Sequence, residues 1–106
     1  MRNSLPKIIS IGTANPPTKV TQQDILDRFE VTNPVVRRIF QASHIQTRHL
    51  YLPDSTTGIP NETQSDLLKK HRKGAMEIGS KAIQECLDNL GVKASDVDML
   101  CCISST

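Results

Sequence analysis

Apolar residues follow two rhythms along this chain. Near-continuous apolar runs occur at residues 7–12 (KIISIG) and 99–103 (MLCCI). Runs of that kind suit strands covered on both faces, as in a parallel sheet. Between them the apolar positions recur at intervals of three and four. Ile25, Leu26 and Phe29 share one face of a helix over residues 22–29. Val36, Ile39 and Phe40 would face inward from a second helix opened by Asn33-Pro34. A long helix over residues 63–90 carries the stripe Ala75, Gly79, Ala82, Cys86 and Leu90, widened by Met76, Ile83 and Leu87. The small residues in that stripe let another backbone lie close to the helix. Residues 45–52 (IQTRHLYL) alternate, with Ile45, Thr47, His49 and Tyr51 on one side, and read as a further strand.

Local punctuation agrees with these elements. Thr21 is placed as an N-cap with Asp24 three residues on, and Pro34 sits where the first helical turn tolerates it. Gly91 is placed as the left-handed residue past the end of the long helix. Pro16 and Pro17 make residues 13–19 a loop, and 53–62 (PDSTTGIPNE) a second, turn-rich one. Ser95 is expected to cap a short turn through Asp98. Strand, helices, long helix and buried strand predict an α/β class built on a right-handed crossover in a mostly parallel sheet. Two buried strands need outer neighbours that these segments do not provide, so an incomplete domain is expected. The second run ends at Ser104-Ser105, at the carboxyl end of a strand, where open α/β sheets bind ligands.

Composition sharpens this picture. The 106 residues carry 13 Lys plus Arg and 11 Asp plus Glu, a formal net charge of +2. That balance gives no electrostatic case for nucleic acid or a membrane surface. The positive excess lies in residues 1–53, and residues 54–106 are net acidic. Aromatics are 3% of the chain, a thin supply for a self-sufficient core. The apolar run near the N-terminus is too short for a signal peptide and nothing approaches a membrane span, so the protein is expected in the cytoplasm. Cys86, Cys101 and Cys102 form neither a disulfide framework nor a zinc spacing. Cys101 and Cys102, mid-strand in an apolar run, read as packing residues.

Candidate chemistry is sparse. No G-x-G-x-x-G, P-loop or G-x-S-x-G occurs, and His44, His49 and His71 have no metal-site spacing. His49 reads as structural or interfacial, and His71, within the basic run KKHRKG, as part of a solvated helix face. Arg37, Arg38 and Arg48 gather around a helix-to-strand connection. They could clamp a polyphosphate or be plain surface charge. Ser104 and Ser105 are candidate pocket hydroxyls or turn formers.

Several segments, in order, resemble the chalcone and stilbene synthase family, the type III polyketide synthases. Ile11-Gly12-Thr13-Ala14-Asn15-Pro16-Pro17 is similar to that family's opening, Phe29-Glu30-Val31-Thr32-Asn33 to its F-x-I-T-N, and residues 43–52 to its S-x-I-x-x-R-x-x-Y-L. Gly79, Ala82 and Ile83 echo its G-x-x-A helix, and Cys102-Ile103-Ser104-Ser105 its C-T-T-S strand end. The shorter stretch between Asn33 and Ser43 suggests a bacterial-type member. The resemblance implies a layered α-β-α-β-α thiolase fold and a homodimer. It also implies an enzyme that loads an acyl-CoA starter on a cysteine and extends it with malonyl-CoA by decarboxylative Claisen condensation. No cofactor is implied beyond CoA thioesters as substrates.

The family's catalytic cysteine, histidine and asparagine lie beyond its C-T-T-S strand. Residues 1–106 are therefore expected to be the N-terminal portion of such a domain, without the triad and inactive alone. Carried over residue by residue, the family's CoA-binding arginine falls on Arg38, while its two lysines fall on Val35 and Ala42. Arg37 is the candidate to compensate. Ser104 and Ser105 match the threonine and serine lining the starter pocket. Other condensing enzymes of the thiolase superfamily, such as ketoacyl synthase III and hydroxymethylglutaryl-CoA synthase, share the fold but usually lack the G-T-A-N-P-P opening. A stand-alone binding domain would have to leave two buried strands unpaired.

Overall fold

Thr21 ends a short strand and begins a helix in the same residue. The computed structural model describes residues 4–52 and 61–104. Strand β1 is Lys19–Thr21 and helix α1 is Gln22–Arg28. The Thr21 hydroxyl accepts the Asp24 N–H at 3.0 Å, and the Asp24 carboxylate accepts the Thr21 N–H at 2.8 Å. That reciprocal box satisfies two of the amides that a helix start leaves without partners. Helix α1 ends with Glu30 at φ 51°, the Val31 N–H donating to Leu26 O at 2.9 Å and the Glu30 N–H to Asp27 O at 3.1 Å. This is a left-handed stop of the Schellman type, made without glycine.

Helix α2, Pro34–Ala42, starts as the sequence predicts: Asn33 Oδ1 accepts from the Val35 and Val36 amides at 2.9 and 3.3 Å. Strand β2 is Thr47–His49 and helix α3 is Gln64–Asp88. Thr63 and Asp66 repeat the reciprocal box at the start of α3. Gly91, at φ 64°, closes α3 with the Val92 N–H on Leu87 O and the Gly91 N–H on Asp88 O, both at 3.1 Å.

The chain divides into two compact units, Asn15–Ile78 and Met1–Ala14 with Gly79–Thr106. In the first, β1 and β2 pair antiparallel, Lys19 opposite His49 and Thr21 opposite Thr47. Leu50 N–H to Thr18 O and Gln22 N–H to Gln46 O extend the pairing at 3.0 and 3.1 Å. Ile25 and the fully buried Leu26 are the buried face of α1. Gly74 makes room for the Tyr51 ring: a β-carbon there would stand 3.0 Å from Tyr51 Cε2. Lys70 and Glu62 form an ion pair.

In the second unit the small-residue stripe of α3 receives the segment around Gly12. A β-carbon on Gly12 would fall 2.0 Å from Ala82 O and 2.6 Å from Cys86 N, so only glycine fits. The Ser10 hydroxyl donates to Cys86 O at 2.9 Å, and the Thr13 N–H donates to the Glu85 carboxylate. Leu87 is the buried hydrophobic residue of this unit among the described residues.

Several expectations are corrected. Residues 7–12 and 99–103 form no strands, and their apolar side chains face solvent: Ile8 is 86% exposed, Met99 84% and Ile103 93%. A strand exists by pairing, and neither run has a partner among the described residues. The parallel crossover is accordingly not formed there, and the sheet among the described residues is the antiparallel β1–β2 pair. The strand over 45–52 shortens to Thr47–His49, and residue 19, placed in a loop because of the prolines before it, begins β1. In α2, Val36 and Phe40 are half-buried but Ile39 is 65% exposed, because the seven-residue α1 covers only part of that stripe. Ser95 is not a cap. It lies inside the short turn Ala94–Asp96, where the Asp96 carboxylate accepts the Lys93 N–H at 3.0 Å. Of the loop over 53–62, residues 53–60 lie outside the described residues.

Candidate functional site

Successive residues on a helix point about 100° apart, so Arg37 and Arg38 cannot face the same way. Arg37 turns back toward α1. Its Nη1 donates to Val31 O at 2.8 Å, and its Nη2 lies 3.4 Å from Asp27 Oδ1. Arg38 is exposed and, among the described residues, makes no hydrogen bond or ion pair. With Pro34 and Val35 it lines a shallow depression of about 260 Å³. An unengaged guanidinium there presents a planar fork of donors, the geometry that takes phosphate or carboxylate oxygens in pairs.

Arg48, the third arginine of the cluster, is half-buried on β2 and donates Nε–H to Gln22 Oε1 at 3.0 Å. Gln22 is 7% exposed. Its amide nitrogen donates to Phe40 O at 3.3 Å and to Ser43 Oγ at 2.9 Å, and Ser43 donates to Phe40 O at 2.8 Å. One side chain thus joins the start of α1, the end of α2 and the middle of β2. Nothing in the sequence singles out Gln22, because a glutamine after an N-cap looks like any solvated residue. The available signal was Arg48, a long charged side chain on a strand that had to find an acceptor.

The other candidates are placed as follows. His49 Nδ1 lies 2.9 Å from Pro16 O and ties β2 to the proline loop, a structural role. His71 is exposed on α3. It borders an apolar groove of about 370 Å³ with Pro16, Tyr51, Leu67, Lys70 and Gly74. The Tyr51 hydroxyl is buried, and burial first, then the Glu77 carboxylate, raise its pKa above the ordinary phenol value. Ser104 is exposed, and Ser105 lies outside the described residues. Cys101 and Cys102 are exposed free thiols rather than packed ones, for the reason that leaves their segment unpaired. Among the described residues no three His, Cys, Asp or Glu side chains gather as a metal set, and no helix is long and apolar enough to cross a membrane.

Comparison with known proteins adds relatives to this geometry. The chain is 45% identical over 103 residues to a 3,5-dihydroxyphenylacetyl-CoA synthase of Streptomyces toyocaensis, covering 95% of this chain and 26% of that protein. It is 38% identical over 102 residues to a protein of the same description from Amycolatopsis orientalis, covering 94% of this chain and 28% of that protein. A 1,3,6,8-tetrahydroxynaphthalene synthase of Streptomyces peucetius subsp. caesius is 25% identical over 107 residues, covering 93% of this chain and 28% of that protein. The chain therefore spans about a quarter of the length of the curated relatives it matches. No family profile and no solved structure matches it.

Proposed function

We infer, from the chain's homology to type III polyketide synthases, that it serves as the N-terminal portion of such an enzyme. The reading is of an acyltransferase that condenses an acyl-CoA starter with malonyl-CoA by decarboxylative Claisen condensation. In that chemistry malonyl-CoA loses CO₂, the resulting enolate carbon attacks the starter thioester, and the thiolate leaves. The complete protein would adopt the layered thiolase fold, act as a cytoplasmic homodimer and draw its nucleophile from sequence outside these residues. This portion would contribute CoA binding and, through Ser104 and Ser105, part of the starter pocket. The relatives at 36–45% identity share one description, so an aromatic CoA thioester of the 3,5-dihydroxyphenylacetyl type is the product we assign.

The observation that carries the site is the division among three arginines: Arg37 and Arg48 are engaged within the protein, and Arg38 stands exposed beside Pro34 and Val35. In the complete enzyme supplied with malonyl-CoA, Arg38→Ala should raise KM for CoA thioesters by about tenfold, the loss of one charge-assisted hydrogen bond, with kcat little changed. An unchanged KM removes Arg38 from the site, and the absence of any aromatic acyl-CoA product removes the product assignment.

A further inference from the structure

Helix α2 has no buried residue, so apolar packing alone does not set where it lies. Polar attachments hold it at both ends. Near its start, Arg37 on α2 reaches Val31 O and Asp27. At its finish, the Gln22 amide takes Phe40 O and Ser43 Oγ. Arg38 sits between these two tethers. Gln22 is itself fixed from three sides: its N–H donates to Gln46 O at 3.1 Å, its Oε1 accepts from Arg48, and it lies within the turn closed by the Thr21–Asp24 box. Its side-chain amide has one donor side and one acceptor side, and this arrangement uses both. A carboxylate or thioether of similar length cannot reproduce it.

We propose that Gln22 is a positioning residue for the anion site on α2: it locks the end of the helix to β2 through Arg48 and so fixes the direction in which Arg38 presents its guanidinium. The proposal rests on the reading of Arg38 as a ligand of CoA phosphate. It assigns Arg37 to holding the helix rather than to the ligand. The binding set is then a single exposed arginine on a helix tethered at both ends, and its affinity depends on alignment as much as on charge.

The test uses the complete enzyme and two forms of the same acyl group: the CoA thioester, and the N-acetylcysteamine thioester, which lacks the nucleotide phosphates. Gln22→Met and Gln22→Glu both remove the amide donor, and Glu keeps an acceptor for Arg48. Each should raise KM for the CoA thioester by about threefold to tenfold, the equivalent of one neutral hydrogen bond, and leave KM for the short thioester unchanged. Ser43→Ala, which removes one acceptor of the Gln22 amide and leaves its donation to Phe40 O, should move the same ratio in the same direction by less and covers the case in which a Gln22 variant fails to fold. Equal losses on both substrates mean Gln22 is merely structural and overturn the proposal. If Arg38→Ala separates the two substrates but no Gln22 or Ser43 variant does, the site stands and its positioning by Gln22 falls. If Arg38→Ala fails to separate them, the reading of the site falls, and this proposal with it.

Discussion

Glu30 holds φ at 51°, a left-handed conformation in which its β-carbon crowds the backbone. The hydrogen bonds that fix it there, Val31 N–H to Leu26 O and Glu30 N–H to Asp27 O, end α1 and aim the chain at Asn33. Gly91 does the same for α3 at φ 64° without that crowding. Two opposite outcomes are expected from one cause. Glu30→Gly should stabilise the protein by about 0.5–1 kcal/mol, net of the extra freedom glycine gives the unfolded chain, and Gly91→Ala should destabilise it by about 1 kcal/mol. Urea unfolding of the two variants checks the pair, and a loss of stability in Glu30→Gly would sink the account of the α1 stop. Gly91 was legible in the sequence because glycine advertises a left-handed stop. Glu30 was not, since glutamate has no such preference and only the hydrogen-bonding of the chain on either side holds it there. The arginines divide in the same way. Sequence carried Arg37, Arg38 and Arg48 to one neighbourhood, but which of them stays available depends on Val31, Asp27 and Gln22, whose positions only the fold reveals.

At the scale of elements, the helix starts were the most legible feature. Thr21 with Asp24 and Asn33 with Pro34 are local signals, complete within four residues, and both helices begin where those signals place them. Thr63 with Asp66 follows the same rule at α3. The strands were far less legible, because a strand is defined by a neighbour distant in sequence. Residues 19–21 pair although prolines precede them, and residues 7–12 stay unpaired although they look like a core strand. The shared cap has a pH consequence. The Asp24 carboxylate is held below its ordinary pKa of 3.8 by the Thr21 hydroxyl and then the Thr21 N–H, and Asp66 likewise by Thr63. A folded pKa below the unfolded one means the stabilisation is full above 3.8 and is lost as pH falls through the lowered folded value. Helical circular dichroism should therefore decline on the acid side of that value, and Asp24→Asn with Asp66→Asn should flatten the decline. A double variant that loses helix as steeply as the parent would show that the caps do not set the acid limit.

For the whole molecule, the question is what these residues can stabilise alone. Among the described residues the buried hydrophobics are Ile25 and Leu26 in one unit and Leu87 in the other. The unit made of Met1–Ala14 and Gly79–Thr106 exposes Leu5, Ile8, Ile9 and Ile11 on one segment and Met99, Leu100 and Ile103 on another. Each of these side chains would contribute about 1.5–3 kcal/mol if fully buried, and none does so here. Both segments also leave backbone donors and acceptors available for pairing, the condition under which chains associate edge to edge. The thin aromatic content and the near-continuous apolar runs pointed the same way from sequence. On its own, the 106-residue chain should self-associate as concentration rises, and bind a hydrophobic dye such as ANS. Ile8→Lys combined with Ile103→Lys should lower both signals, because the charges oppose pairing on each segment without touching Ile25, Leu26 or Leu87. Sedimentation across a concentration series and a thermal melt decide the matter together. A monomer at every concentration, with one sharp cooperative melt, would mean the exposed runs need no partner, and would remove the physical reason for assigning this chain to a larger layered enzyme.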